Sequence, residues 1–299
     1  MTELDYENAL SSIDFSRAPR DEDSTTPDTW SGERSRGAWQ DTYTARKRVY
    51  EDGQCVVTVT LDKSFVGPAI GRPRAKRGES EKRLQNEDDA GRRAKQKVRD
   101  CCKTIGADRM VTLTYRDNMT DREKALKDWK AFVRRLGKVN KFHYVAVIEE
   151  QERGALHFHV AVRGKQNYVL LRSIWQRVVG LGPSGEQMGQ VNVRDPHKLG
   201  FGAKGAHRLA GYIAKYCGKS MESRALDQKR YFRSKGIVLP ELKYWRLPNC
   251  TCMLDAVHSA FRMIEGHSFE GLETWCNNAL GIVYLATAPG IPEPLECPF

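Results

Sequence analysis

Phe142-His-Tyr-Val-Ala-Val-Ile-Glu149, Glu150-Gln-Glu-Arg-Gly-Ala155, Leu156-His-Phe-His-Val-Ala-Val-Arg163: this stretch decides the fold. Its two ends are rich in β-branched and aromatic residues, and its middle is polar with a glycine, which predicts a β-hairpin with a loop longer than the commonest tight turns. In a strand, alternate residues share a face. Leu156, Phe158, Val160 and Val162 therefore form a core face, and His157, His159 and Ala161 point the other way, towards a half-wet side of the sheet. Two imidazoles on one side of one strand can reach a single metal ion. The bland alternative is a pair of satisfied histidines on a partly solvated face. A carboxylate near the strand end would complete a ligand set, and Glu149, Glu150 and Glu152 are all close enough. Which one faces the histidines depends on hairpin register, because a slip of one residue exchanges the faces.

Elements on either side follow from periodicity. Glu79 to Ile105 is helical and very basic, with Arg92, Arg93, Lys95, Lys97 and Arg99 crowded together, which reads either as a solvated face or as a contact to a DNA backbone. Met110-Val-Thr-Leu-Thr-Tyr115 is a strand. Asp121 caps a helix carrying Leu126, Trp129, Phe132, Val133 and Leu136, and Gly137 stops it. Asn167 caps the next, with Leu170, Leu171, Ile174, Trp175 and Val178 on one face. Gly180 to Gly189 is a loop, Val191 to Val193 a short strand, and Pro196 to Gly205 a Gly-rich basic segment that should be mobile. A last helix starts near Ala206. Helices mixed around a hairpin in this order predict an α+β fold, an antiparallel sheet carrying helices.

That last helix contains Gly211-Tyr-Ile-Ala-Lys-Tyr-Cys-Gly-Lys219. At about 100° per residue, Ala206, Leu209, Ala210, Ile213 and Cys217 form the buried stripe. Tyr212 and Tyr216 fall together beside it, with Lys215 and Lys219 on their far side. Core aromatics would sit nearer the middle of the stripe. Residues four apart share a helix face, so both phenols can reach one substrate. Tyrosine is a weak nucleophile at neutral pH, and a nearby ammonium or metal-bound phosphate favours its phenolate. Two imidazoles plus a carboxylate leave open positions on a divalent ion for a phosphate oxygen. Together these residues point to covalent phosphodiester chemistry.

The formal net charge of +11 over 299 residues suits a polyanionic partner, and Arg72 to Arg99 and Tyr212 to Arg246 carry much of the excess. Candidate DNA contacts are Arg92, Arg93, Lys204, Arg208, Arg230, Arg233 and Lys235. No run of eighteen apolar residues or signal-like start is present, so a cytoplasmic protein without membrane association is expected. The spacings Cys101-Cys102 and Cys250-Thr-Cys252 suit neither a zinc finger nor a disulfide framework. Gly211 to Ser220 ends in Gly-Lys-Ser, but its first glycine is too early for a nucleotide-binding loop. Three regions are expected: a polar arm over 1–80, partly disordered apart from a short strand at Cys55–Leu61; a catalytic domain over 81–245; and a C-terminal extension over 246–299.

These residues give the chain its resemblance to the HUH endonucleases, in particular the two-tyrosine rolling-circle replication initiators of phages and plasmids. Met110–Tyr115 resembles the first motif of that family, His157-Phe158-His159 the histidine–hydrophobic–histidine metal motif, and Tyr212–Lys219 the tyrosine motif. In this pattern Glu149 is similar in position to the third metal ligand, and Lys229–Gly236 resembles a basic segment that follows the third motif. The resemblance spans roughly residues 90–240. It implies a central antiparallel sheet of about five strands, an RRM-like palm, with flanking helices. It further implies Mg or Mn as cofactor, Tyr212, Tyr216, Lys215 and Lys219 as catalytic residues, and nicking and rejoining of a single-stranded or hairpin origin through a 5′-phosphotyrosine. A host helicase and DNA polymerase would be partners. A two-tyrosine transposase of a mobile element and a non-catalytic origin-binding protein are the competing readings.

Overall fold

The computed structural model describes residues 38–66, 76, 79–139, 143–194, 205–216 and 228–289. The fold is α+β, with two five-stranded antiparallel sheets and five helices among the described residues. The chain divides into two compact units, one from the described parts of Met1–Arg74 and Pro240–Glu293, the other from Ala75–Leu239.

The second unit contains the motifs. Its helices are α1 (Arg83–Thr104), α2 (Arg122–Leu136), α3 (Tyr168–Val179) and α4 (Gly205–Tyr216). Its strands are β3 (Arg109–Tyr115), β4 (Tyr144–Glu150), β5 (Leu156–Val162), β6 (Gly189–Arg194) and the two-residue β7 (Phe232–Arg233), in the order β6-β3-β5-β4-β7. The helix boundaries have local causes. The Asp121 carboxylate accepts hydrogen bonds from the Glu123 and Lys124 amides, and the Asn167 side chain accepts one from the Leu170 amide. Gly137 closes α2, its amide bonding the Val133 carbonyl. The hairpin loop closes with the Gln151 amide on the Ala155 carbonyl, and Gly154 there takes a φ of 80°, a conformation that favours glycine.

Both faces of this sheet are covered. On one, Val111, Leu113, Phe158, Val160 and Val162 pack with Trp129, Phe132, Leu171 and Trp175 of α2 and α3. The Trp129 ring stacks on Phe158 at 5.1 Å, and the Trp175 Nε1–H donates to the Thr114 carbonyl at 2.9 Å. A methyl at Gly189 would lie 2.9 Å from Trp175 Cδ1, so only glycine lets β6 approach that indole. On the other face, Met110, Val145, Val147 and Ala161 pack with Ala94, Val98 and Cys101 of α1 and with Leu209, Ala210, Ile213 and Tyr216 of α4. The side expected to be half-wet carries a second apolar core with His159 set into it, while His157 and the β6 residues Gln190, Asn192 and Arg194 keep its rim partly exposed. Central strands buried on both faces lose the simple in–out alternation.

The first unit joins β1 (Ala38–Val49) and β2 (Cys55–Val66) to three elements from the far end of the chain: β8 (Lys243–Leu247), β9 (Glu273–Asn277) and β10 (Ile282–Ala286). The strand order is β8-β1-β2-β10-β9. Helix α5 (Met253–Met263) lies on one face, burying Val257, Ala260 and Phe261 against Ala45, Val57, Val59 and Leu285. The region read as a polar arm thus contains two twelve-residue strands, and the Cys55–Leu61 strand extends to Val66. Residues 1–37 and the segment 196–204 expected to be mobile lie outside the described residues.

Candidate active site

Register decides among the three glutamates. Glu149 pairs with His157 and Val147 with His159, so Glu149 shares the histidine side of the sheet. Glu150 pairs with Leu156 on the opposite side, and Glu152 lies in the loop. His159 Nε2 and Glu149 Oε2 are 2.6 Å apart. On the other flank, Thr112 pairs with His159, and its Oγ1 lies 3.4 Å from His159 Nδ1. Each ring nitrogen of this 6 %-exposed histidine therefore has a partner. Burial and the neighbouring His159 hold His157 below the usual imidazole range, and Glu149 partly offsets them.

Helix α4 brings the tyrosines to this point. The Tyr216 ring stacks on His159 with centroids 4.6 Å apart and planes 14° from parallel, and the Tyr212 ring meets His159 edge-on at 6.3 Å. The two phenol rings are 5.1 Å apart, and the Tyr216 hydroxyl donates a hydrogen bond to the Tyr212 hydroxyl. The helical wheel put the two phenols side by side, and the structure keeps them together but exposes them unequally. Tyr216 is 9 % exposed and belongs to the core cluster, whereas Tyr212 is 42 % exposed. The difference arises because α4 packs against both the sheet and α1, which also buries Ala214 and widens the stripe towards Tyr216. Burial, the bond to Tyr212 and the Glu149 charge push the Tyr216 phenol well above the usual tyrosine range, and Arg194 partly offsets them.

The donor set of two imidazoles and a carboxylate suits a divalent cation in kind. As the side chains stand, Glu149 is bonded to His159, and among the described residues no three His, Cys, Asp or Glu side chains are gathered into a ready-made metal site. Thr112 at Nδ1 and Glu149 at Nε2 together fix the orientation of the His159 ring.

Lys215 is exposed on α4, while Lys219, Lys204 and the Arg208 side chain lie outside the described residues. The candidate DNA contacts divide. Arg93, Arg233 and Lys235 are exposed. Arg92 is exposed but paired with Asp88 and Asp89. Arg230 is enclosed, pairing with the Glu87 carboxylate and donating to its carbonyl, so it fastens the segment before β7 to α1. Sequence reasoning missed Thr112, Gln190, Asn192 and Arg194. On β6 the last three are exposed, and Asn192 pairs with Thr112 and Gln190 with Thr114. The signal was there in Thr112 and Thr114, polar residues two apart in an otherwise apolar strand.

Residues 108–221 match the model of a family described as Replication-associated protein ORF2. The matched segment includes Thr112, Glu149, both histidines and both tyrosines, and it supports a role in replication initiation. No curated protein and no solved structure gives a match. Among the described residues, no helix is long and apolar enough to cross a membrane.

Proposed function

We propose that the chain initiates rolling-circle replication by nicking and rejoining single-stranded origin DNA through a phosphotyrosine, with Tyr212 making the first cut. The observation that supports this most is the contact of both phenol rings with His159, itself bonded to Glu149. Glu149, His157 and His159 would hold Mg or Mn, and such an ion, when bound, supplies positive charge to a phosphate oxygen. The Tyr212 oxygen attacks phosphorus in line. An Oη–P bond forms, the bond to the 3′ oxygen breaks, and the phenol proton ends on that oxygen. The product is a 5′-phosphotyrosine and a free 3′-hydroxyl able to prime a polymerase. Rejoining is the same step reversed, so it needs no nucleotide.

Access separates the tyrosines. Tyr212 is open to a strand arriving from solvent, and its oxygen accepts a hydrogen bond from Tyr216. Tyr216, stacked on His159, is held for the second transfer, when the first tyrosine already carries DNA. Lys215, three residues after Tyr212, can place its ammonium beside the phosphate. The exposed Arg93, Arg233 and Lys235 serve the backbone.

The test is a covalent adduct on a denaturing gel after incubation with single-stranded origin DNA and Mn. Tyr212→Phe is expected to lower adduct by about tenfold or more, Tyr216→Phe to leave the first nick, and the double variant to abolish it by at least about a thousandfold. An adduct that survives the double variant, or cleavage without any adduct, rules the reading out.

A further inference from the structure

The first unit has an aromatic sheet face that the nicking chemistry does not use. Helix α5 covers the side bearing Ala45, Val57, Val59 and Leu285. On the opposite side, strand pairing sets one row across all five strands: Tyr244 on β8, Arg46 on β1, Thr58 on β2, Tyr284 on β10 and Trp275 on β9. The next row reads Arg246, Thr44, Thr60, Ile282 and Asn277. Tyr244 is 50 % and Trp275 51 % exposed. The Arg46 guanidinium carbon lies 5.8 Å from the Tyr244 ring centre, and its Nη2 is 3.2 Å from Asp62. Arg48 and Arg246 bring the arginines on this side to three, against Asp62 and Glu273.

Single exposed apolar residues are ordinary on a protein surface. Two exposed rings and a partly buried third, Tyr284, sharing one row with an arginine are a different pattern. Ring faces accept any base, and guanidinium groups meet the phosphates between bases, which is the composition of a platform for single strands. Neighbouring strands are roughly 4.8 Å apart, so Tyr284 and Trp275 can hold adjacent bases, with Tyr244 roughly 14 Å farther along the row. The surplus of arginine over acid on this side favours a polyanionic strand over a neutral partner.

We propose that this face binds single-stranded DNA, stacking bases on Tyr244, Tyr284 and Trp275 and meeting phosphates with Arg46 and Arg246. The choice of DNA over RNA rests on the replication reading; the platform itself does not.

The test uses the full chain carrying Tyr212→Phe and Tyr216→Phe, without metal, and a fluorescein-labelled oligothymidylate followed by anisotropy at fixed salt. Tyr244→Ala and Trp275→Ala should each weaken binding by on the order of 5- to 100-fold. Tyr244→Phe, which keeps the ring, should stay within about twofold of the parent, because stacking and not the hydroxyl is what acts. Oligothymidylate should quench tryptophan emission, and Trp275→Phe should remove the quenched component. Stronger binding of an oligouridylate than of the oligothymidylate would overturn the choice of DNA. No binding by the parent, unchanged affinity in the alanine variants, Phe as damaging as Ala, or an effect on oligomeric state alone would overturn the platform. The gel assay and the anisotropy fail independently: loss of adduct formation leaves this face standing, and intact adduct formation with unaltered anisotropy removes it alone.

Discussion

The two sheets have the same number of strands and the same antiparallel pairing, and they use their faces differently. In the second unit, helices pack on both sides, and buried His159 gathers partly buried Thr112 and Glu149 and the ring of Tyr216, with Tyr212 at the exposed edge. In the first unit, one helix covers one side, and the other exposes Tyr244 and Trp275 beside partly buried Arg46 and Tyr284. A face closed on both sides can hold side chains at fixed spacing away from water, which chemistry needs. A face left open can take a long, flexible ligand of no fixed sequence. The contrast separates positioning from capture.

The largest expected effect comes from weakening the closed sheet. Phe158→Ala, at the centre of the aromatic cluster on β5, should cost about 3–5 kcal/mol in chemical denaturation. A cost below about 1 kcal/mol would show that the cluster does not depend on that ring. Next comes the register. Glu149→Gln should weaken Mn binding, measured by calorimetry, by about tenfold or more, and Glu150→Gln should leave it within about twofold. Equal effects would place the ligand outside the face defined by His157 and His159. The smallest effect belongs to the open sheet: Trp275→Ala should change unfolding free energy by less than about 1 kcal/mol, since its ring is half exposed and contributes at most a cross-strand pair. A larger loss would make that row structural and erase the contrast.

The second unit was legible because its signals are local. Asp121, Asn167 and Gly137 act within one turn of themselves, and the β4–β5 hairpin closes over five residues. Glu149 could not be chosen from spacing, since the choice depends on pairing; the pairing puts it opposite His157. Burial of Tyr216 was not legible either, because it needs α1, which begins more than a hundred residues earlier, to lie against α4. The first unit was largely hidden for the same reason in stronger form. Ala38–Val49 reads as polar, with Asp41, Arg46, Lys47 and Arg48 among its twelve residues, and it becomes a strand through pairing with β2 and with β8, two hundred residues away. Local propensity does not carry a partner at that distance.

The same interrupted layout governs how the chain is made. β1 and β2 leave the ribosome early, yet the helix that shelters Val57 and Val59 begins at Met253, after the whole second unit. During synthesis the long hairpin must wait with an apolar side and two unpaired edges bare, a template for chain-to-chain pairing until translation reaches β8, α5 and β10. Shortening the chain before residue 240 would make that waiting state permanent, so the second unit on its own should be produced from a start beyond the hairpin.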